Sequence, residues 1–327
     1  MRAIRYHEFG DESVLRLDDV PDPVPGVGEA LVSIRATSVN PIDAKLREGI
    51  PSPPPSLPHV AGVDLAGVVE SVGPDVDRLD PGDRVYGTGF GWDDPGTYAE
   101  KAAVPADRLA VLPDAVDFET GAAAAMAFAT AWRALVDRGD LSVGDTCLVH
   151  GAAGGVGHAG VQIAATTGAT VVGTARESDA DAVREFGADA VVDYRTDDLG
   201  AAVRDAVGAV DVVLESHAGA NLDGDLAALG RGGRAVVIGQ GRDLTLDPGT
   251  SLGAMFDDVD LRFMSTMAST DDHARVLGRV GSLLADGRLE PEIAATYPLA
   301  EAAEAQRYAA ESGVTGKVVV RTASEKS

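Results

Sequence analysis

The chain has 327 residues, about twice the ~150 typical of one domain, so two domains are expected. Fifty-two acidic residues against 27 basic ones leave a net charge of −25, a surface sign that repels nucleic-acid phosphate and anionic lipid headgroups. No run approaches the ~18 apolar residues of a membrane helix, and the single cysteine, Cys147, excludes an intrachain disulfide or a cysteine-cluster metal site.

Met1-Arg2-Ala3-Ile4-Arg5 moves straight into an alternating strand pattern with no signal-like apolar segment, so a soluble intracellular (cytoplasmic) protein is expected. Residues 2–35 alternate apolar and polar and are broken at Pro21-Asp22-Pro23 and Pro25-Gly26, which favours short antiparallel strands. Pro51 to Pro58 reads as one stiff surface loop. Strands follow at Asp64–Val72 and Arg84–Tyr86, separated by the turns Gly73-Pro74 and Pro81-Gly82. The first third is therefore mainly β. Glu119 to Arg138 then has helical spacing and stops at Gly139-Asp140.

From Asp145 onward, short apolar runs alternate with helical segments. The runs are Thr146–Val149, Thr170–Val172, Ala190–Val192, Val210–Leu214, Ala235–Ile238 and Leu261–Met264. β-branched runs of this kind predict a parallel sheet covered on both faces, and six of them match a doubly wound dinucleotide fold. Cys147 lies inside the first run and is expected to be a buried strand residue. An amphipathic helix over Asp271–Ala285, a helix over Ala300–Glu311 and a strand over Lys317–Val320 close the chain. The expected architecture is α/β: a β domain from residues 1–120 and 267–327, and a Rossmann domain from 121–266.

The strongest motif is His150-Gly151-Ala152-Ala153-Gly154-Gly155-Val156-Gly157, between the strand Thr146–Val149 and a helix expected over Ala159–Thr167. Glycines here allow a sharp turn and close approach to a pyrophosphate, which the N–H groups of Ala153, Gly154, Gly155, Val156 and Gly157 bind at the helix start. The pattern is A-x-G-x-x-G, with Ala152 at its first position. An NAD site usually has an acid at the end of the second strand. Here the sequence is Val172-Gly173-Thr174-Ala175-Arg176. A guanidinium takes a 2′-phosphate bidentately, and the room left at Gly173 is expected to admit it, so NADPH is favoured. Glu177 is a candidate partner for Arg176, and Tyr194-Arg195 offers a second contact, with Arg195 equally readable as a solvated surface charge. His150 is expected to be a satisfied core histidine.

These features resemble the zinc-independent quinone oxidoreductases (zeta-crystallin-like) of the medium-chain dehydrogenase/reductase superfamily. The likeness includes Met1-Arg2-Ala3-Ile4, Ser38-Val39-Asn40-Pro41-Ile42-Asp43, Pro58–Gly67, Gly82-Asp83-Arg84-Val85-Tyr86-Gly87 and Ala152–Gly157. It implies a GroES-like β domain plus a Rossmann domain, with the nicotinamide in a cleft. It further implies that Asn40 and Thr130 lie beside the nicotinamide as catalytic residues. Ile238-Gly239-Gln240 would run along the carboxamide edge, Lys317 near the cofactor, and Tyr194 at the 2′-phosphate. For Lys317 the alternative is a strand-end surface lysine, and for Thr130 it is helix packing. Tyr86 and Trp92 are expected to flank the cleft mouth, with aromatic packing the commoner use of such residues. The sixth Rossmann strand resembles the edge that pairs across a homodimer.

Zinc-dependent relatives carry a cysteine near position 40 and Gly-His-Glu near position 62; here those places read Asn40 and Gly62-Val63-Asp64, and Ala122–Ala127 offers nothing polar. Asp43, His59 and Asp64 are the remaining donors in that region, and no metal site is expected of them. Without a Lewis acid, already electrophilic acceptors are favoured: quinones or α,β-unsaturated carbonyls. An enoyl-thioester reductase is the first alternative, with Arg242 and Arg262 as candidate contacts for coenzyme A phosphates. A non-catalytic NADPH-binding protein is the second. The acids are 36 Asp and 16 Glu, and the bases are only 4 Lys beside 23 Arg. That composition resembles proteins of salt-accumulating halophiles, where ions screen the self-repulsion.

Overall fold

The computed structural model describes residues 1–50, 56–267, 272–311 and 313–322. The chain divides into two units, Met1–Ala129 with Thr266–Ser327, and Thr130–Ser265.

The first unit opens with β1 (Arg2–Tyr6) and β2 (Leu15–Asp19), paired antiparallel, followed by the ten-residue β3 (Glu29–Ser38). In β3 the side chains of Ala30, Val32 and Ile34 point inward, the two-residue period of a half-buried strand. α1 (Pro41–Arg47) starts at once because Asp43 reaches back to accept the Asn40 backbone N–H at 2.7 Å, and Pro41 sits where its missing N–H is harmless. β4 (His59–Val60) joins β1; β5 (Asp64–Val72), β6 (Arg84–Thr88), β7 (Lys101–Pro105) and β8 (Leu109–Val111) extend the larger sheet. Its core packs Val32, Ile34, Leu65, Val85, Phe90, Val104 and Leu109. α2 (Phe118–Trp132) runs on across the change of unit, which is why that change comes later than residue 120.

The second unit holds β9 (Thr146–Val149), α3 (Gly155–Thr167), β10 (Thr170–Ala175), α4 (Ala180–Glu185), β11 (Ala190–Asp193), α5 (Leu199–Val207), β12 (Val210–Glu215), α6 (Ala218–Ala228), β13 (Leu229–Val237), α7 (Pro248–Phe256) and β14 (Asp260–Phe263). All its strands are parallel, in the order β11-β10-β9-β12-β13-β14. Cys147 to Val149, Val171, Val172 and Val212 to Leu214 are all buried, so these strands read as continuous apolar runs. Burial raises the Cys147 thiol far above its usual range and leaves it inert.

The chain then returns to the first unit through α8 (His273–Ala285), β15 (Ile293–Pro298), α9 (Ala302–Ala310) and β16 (Lys317–Arg321). β16 lies between β15 and β3, in the order β15-β16-β3-β5-β6-β8, with β7 also on β3. The guanidinium of Arg321 grips Glu119 with two bonds of 2.6 and 3.0 Å, an exposed pair worth at most ~1 kcal/mol.

Both aromatic residues, Tyr86 and Trp92, are used for packing. Tyr86 is fully buried and its hydroxyl donates to the Leu277 carbonyl, so it is a core residue and not part of a rim. Trp92 packs on the cluster of Leu46, Val63 and Met126. Residues 51–55 of the proline loop and Asp271 of the expected helix lie outside the described residues.

Candidate active site

The Ala152–Gly157 loop joins the C-terminal end of β9 to α3, beside the point where the strand order reverses between β9 and β12. The helix starts at Gly155, earlier than expected, so most of the motif is its first turn. A Cβ at Gly157 would lie 1.9 Å from the Gly151 carbonyl oxygen; only glycine lets the helix sit against the loop. Gly154 caps the helix in extended conformation, and Ala152 N–H donates to the Thr174 carbonyl at 2.9 Å. The helix therefore presents its first, unpaired N–H groups at this end, the arrangement that receives an anionic phosphate.

Gly173 lies beneath the loop. A Cβ there would meet Ala152 Cβ and Val183 Cγ1 at 2.8 Å each, so the room at Gly173 is already filled and cannot admit a phosphate. Thr174 is buried, its hydroxyl in contact with His150 and the Gly151 amide. The strand ends later than expected, at Ala175. Arg176 follows it and pairs with Asp179 at 2.7 Å, not with Glu177. Ala175 is paired with Asp193 of β11, which sets Arg176 and Tyr194 on neighbouring strand ends. Arg195 lies 5.8 Å over the Tyr194 ring and holds Asp193 with bonds of 3.0 and 2.7 Å. Two guanidiniums and a phenol are thus gathered beyond β10 and β11. Ile238 and Gly239 leave β13 against Ser216, where a Cβ on Gly239 would meet the Ser216 carbonyl at 2.2 Å. Ile238 is half-buried and Gln240 exposed, while Thr130 is buried near the end of α2.

In the first unit, Asn40 and Lys317 come together, although they are far apart in sequence. Lys317 is 4% exposed, so it is not a surface lysine; its Nζ donates to Asn40 Oδ1 at 2.6 Å and to the Val39 carbonyl at 2.7 Å. The Asn40 amide nitrogen donates to Asp64 Oδ2 at 2.7 Å and to the Ser38 carbonyl at 3.3 Å. Asp64 also accepts the Ser38 hydroxyl at 2.5 Å, and Asp43 accepts the Tyr98 hydroxyl at 3.1 Å. Burial pushes Asp43 up to about 7, with the neighbouring Asp64 adding to the rise. Burial also raises Asp64, against the pull of the Lys317 ammonium, and lowers Lys317, against that of the two carboxylates. Lys317 is the cation inside this acidic pocket. His59, the other donor considered, is tied to the Gly91 carbonyl at 3.0 Å.

Arg242 donates to the Gly219 carbonyl at 2.5 Å, and Arg262 bridges Asp140 at 2.9 Å and Asp260 at 2.7 Å. Neither guanidinium forms a basic patch. What sequence reasoning missed is the company of His150. It is buried with both ring nitrogens engaged, as expected of a core histidine, but its neighbours are the buried acids Glu215 and Asp225. The parallel register held a signal for Glu215: Leu214 pairs with Val149, so the next residues, Glu215 and His150, come level. Asp225 comes from a helix whose facing no local pattern reveals.

A model of the alcohol dehydrogenase GroES-like domain matches residues 26–114, and a zinc-binding dehydrogenase model matches residues 186–320. The quinone oxidoreductase of Mus musculus is 37% identical over 330 residues, 98% of this chain and 97% of that protein. A crystal structure described as an NAD-dependent alcohol dehydrogenase superposes with a TM-score of 0.89 at 32% identity, covering 99% of this chain and 100% of that one. A mycobacterial structure complexed with NADPH gives 0.87 at 32% identity, covering 98% and 100%. This chain belongs to the quinone oxidoreductase family of the medium-chain dehydrogenase/reductase superfamily and is an oxidoreductase.

Proposed function

We propose that the protein reduces a quinone or an α,β-unsaturated carbonyl with NADPH, without zinc. The observation that carries the choice of acceptor is the Lys317–Asn40–Asp64 cluster. An ammonium already balances the carboxylates, and the Asn40 amide is committed to them, so no converging set of metal donors is left there. A carbonyl that needs a Lewis acid is then disfavoured against one that is already electrophilic.

Bound NADPH supplies the hydride. The chain's own residues bind and orient. The first-turn N–H groups of Gly155, Val156 and Gly157, with Ala153 before them, take the pyrophosphate, while the Gly154 N–H is spent on the Gly151 carbonyl at 2.8 Å and shapes the loop; the close approach at Gly157 gives the cradle such a group needs. Arg176 and Tyr194, with Arg195 beside them, take the 2′-phosphate, drawing the guanidiniums off Asp179 and Asp193. Ile238 and Gln240 flank the carboxamide edge. Lys317 holds the Asn40 side chain by its oxygen; Asn40 is the orienting residue of the first unit and Thr130 that of the second, while solvent gives the proton. The protein works as a cytoplasmic homodimer joined along β14, in a cell of high salt.

The test is oxidation of NADPH and NADH by the purified protein in molar KCl against ortho- and para-quinones, small enones and an enoyl-CoA. Quinone or enone turnover with a preference for NADPH is expected. Arg176→Ala should lower kcat/KM for NADPH by about 10–100-fold, the worth of one charge-assisted contact, and leave NADH nearly unchanged. Turnover confined to enoyl-CoA would replace the acceptor. Equal loss with both cofactors would move the 2′-phosphate away from Arg176.

A further inference from the structure

Beneath the glycine loop runs a chain of buried polar side chains. Asp225 Oδ1 lies 2.6 Å from His150 Nε2, His150 Nδ1 lies 3.0 Å from Thr174 Oγ1, and Thr174 Oγ1 lies 3.3 Å from the Gly151 amide nitrogen. Glu215 Oε2 approaches the same imidazole nitrogen at 3.5 Å. Each member comes from a different place: His150 follows β9, Thr174 is in β10, Glu215 ends β12 and Asp225 lies in α6. All four are 2% exposed or less, so water cannot substitute for a missing partner.

The geometry fixes the protons. The Asp225 carboxylate takes the Nε2 hydrogen, which leaves Nδ1 of a neutral imidazole as an acceptor. The Thr174 hydroxyl must then donate to Nδ1, and its oxygen lone pairs are left to receive the Gly151 N–H. Glu215 Oε2 and Asp225 Oδ2 lack any other partner, and one proton shared between the two carboxyls satisfies both. A metal ion suits the cluster less well. Donors around one ion at ~2.1 Å stand about 3.3 Å apart, whereas Nε2 and Oδ1 are at hydrogen-bond separation. The order carboxylate–imidazole–hydroxyl is that of a nucleophilic triad, yet the hydroxyl faces a backbone amide and no substrate space.

We propose that Asp225, His150 and Thr174, with Glu215 behind them, are positioning residues that set the Gly151 amide and so the Ala152–Gly157 loop in its phosphate-receiving shape. The proposal rests on the reading of that loop as the dinucleotide site. They act on cofactor affinity through the backbone and touch no reacting atom.

The experiment compares Thr174→Val, Thr174→Ser, His150→Gln and the Val/Gln double variant with the unaltered protein. It reads amide hydrogen exchange over residues 151–157 without cofactor, and KM and kcat for NADPH with a quinone. Thr174→Val should speed exchange in the loop and raise KM about tenfold, with kcat within about twofold, and Thr174→Ser should restore both. The double variant should be no worse than the worse single one, because both break the same chain. Unchanged loop exchange and KM in the Val and Gln variants, or additive losses, would overturn the proposal. So would a stoichiometric divalent ion in the purified protein that Asp225→Asn removes. If the unaltered protein bound neither nicotinamide, the dinucleotide reading would fall, while loop exchange would still decide the positioning role. Should Thr174→Val fail to fold, His150→Gln against Thr174→Ser makes the same comparison.

Discussion

Lys317 does for the first unit what no surface pair can. Its ammonium opposes the rise that burial imposes on Asp43 and Asp64, and replacing it with an apolar side chain would push both carboxyls further toward their protonated forms. The second unit has no such cation at Glu215 and Asp225; there a retained proton does the work. Burial raises both carboxyls, and Glu215 holds the proton they share. The folded chain therefore keeps protons that the unfolded chain loses near pH 4–5, so these groups make stability fall as pH rises from about 4.5 to 7. In Glu215→Gln the amide hydrogen replaces the shared proton and cannot be lost. Urea midpoints across pH 4.5–8 should show a shallower decline and a gain on the order of 1–3 kcal/mol at pH 8. Parallel curves for variant and wild type would place the titration elsewhere. The partners were not legible in the sequence, where Lys317 read as a residue near the cofactor or a strand-end surface lysine and His150 as a satisfied core histidine with no named neighbours. Burial of a polar side chain depends on which other elements cover it.

Elements were far more legible. β9 has the limits its apolar run predicts, because a strand covered on both faces needs a continuous apolar stretch, and β5 ends at the Gly73-Pro74 turn that punctuates it. β15 was missed, since Ile293-Ala294-Ala295-Thr296-Tyr297 is only partly buried and has little period. α7 was missed as well. It exposes Leu252, Met255 and Phe256, and the neighbouring edge strand β14 exposes Leu261 and Phe263, with Phe256 76% and Phe263 60% accessible. An apolar edge strand left open invites another strand. If β14 is the dimer contact, Phe263→Asp should convert the protein to monomer in light scattering behind size exclusion, at unchanged helix content. An unaltered dimer would put the contact on another face.

At the scale of the whole molecule, the charge of −25 remains the dominant fact. The acids lie on both units, so each must be compact against its own repulsion. Molar salt shortens the screening length to about 3 Å. Raising KCl from 0.1 to 2 M should therefore lift the thermal midpoint by about 5–15 °C, and sucrose of equal osmolality should not reproduce the shift. An equal midpoint at both salt levels would mean that the acidic composition is not an adaptation to salt. The two-unit division was visible in the switch from alternating to alternating-with-helix patterns. The exact change of unit was not, because α2 runs through it without a break in composition.

The position of β16 has a consequence for how the chain is made. Residues Val319 to Arg321 pair with Ala36 to Ser38 of β3, and Lys317 reaches the Val39 carbonyl and Asn40. On a ribosome the second unit, one continuous stretch, has all its strands before this segment is synthesised. The first unit must wait with one flank of β3 unpaired and Asn40 without its lysine until residues 317–321 emerge. Its folding waits for this segment, and a chain halted before Lys317 would carry a complete six-stranded parallel sheet and an incomplete first unit.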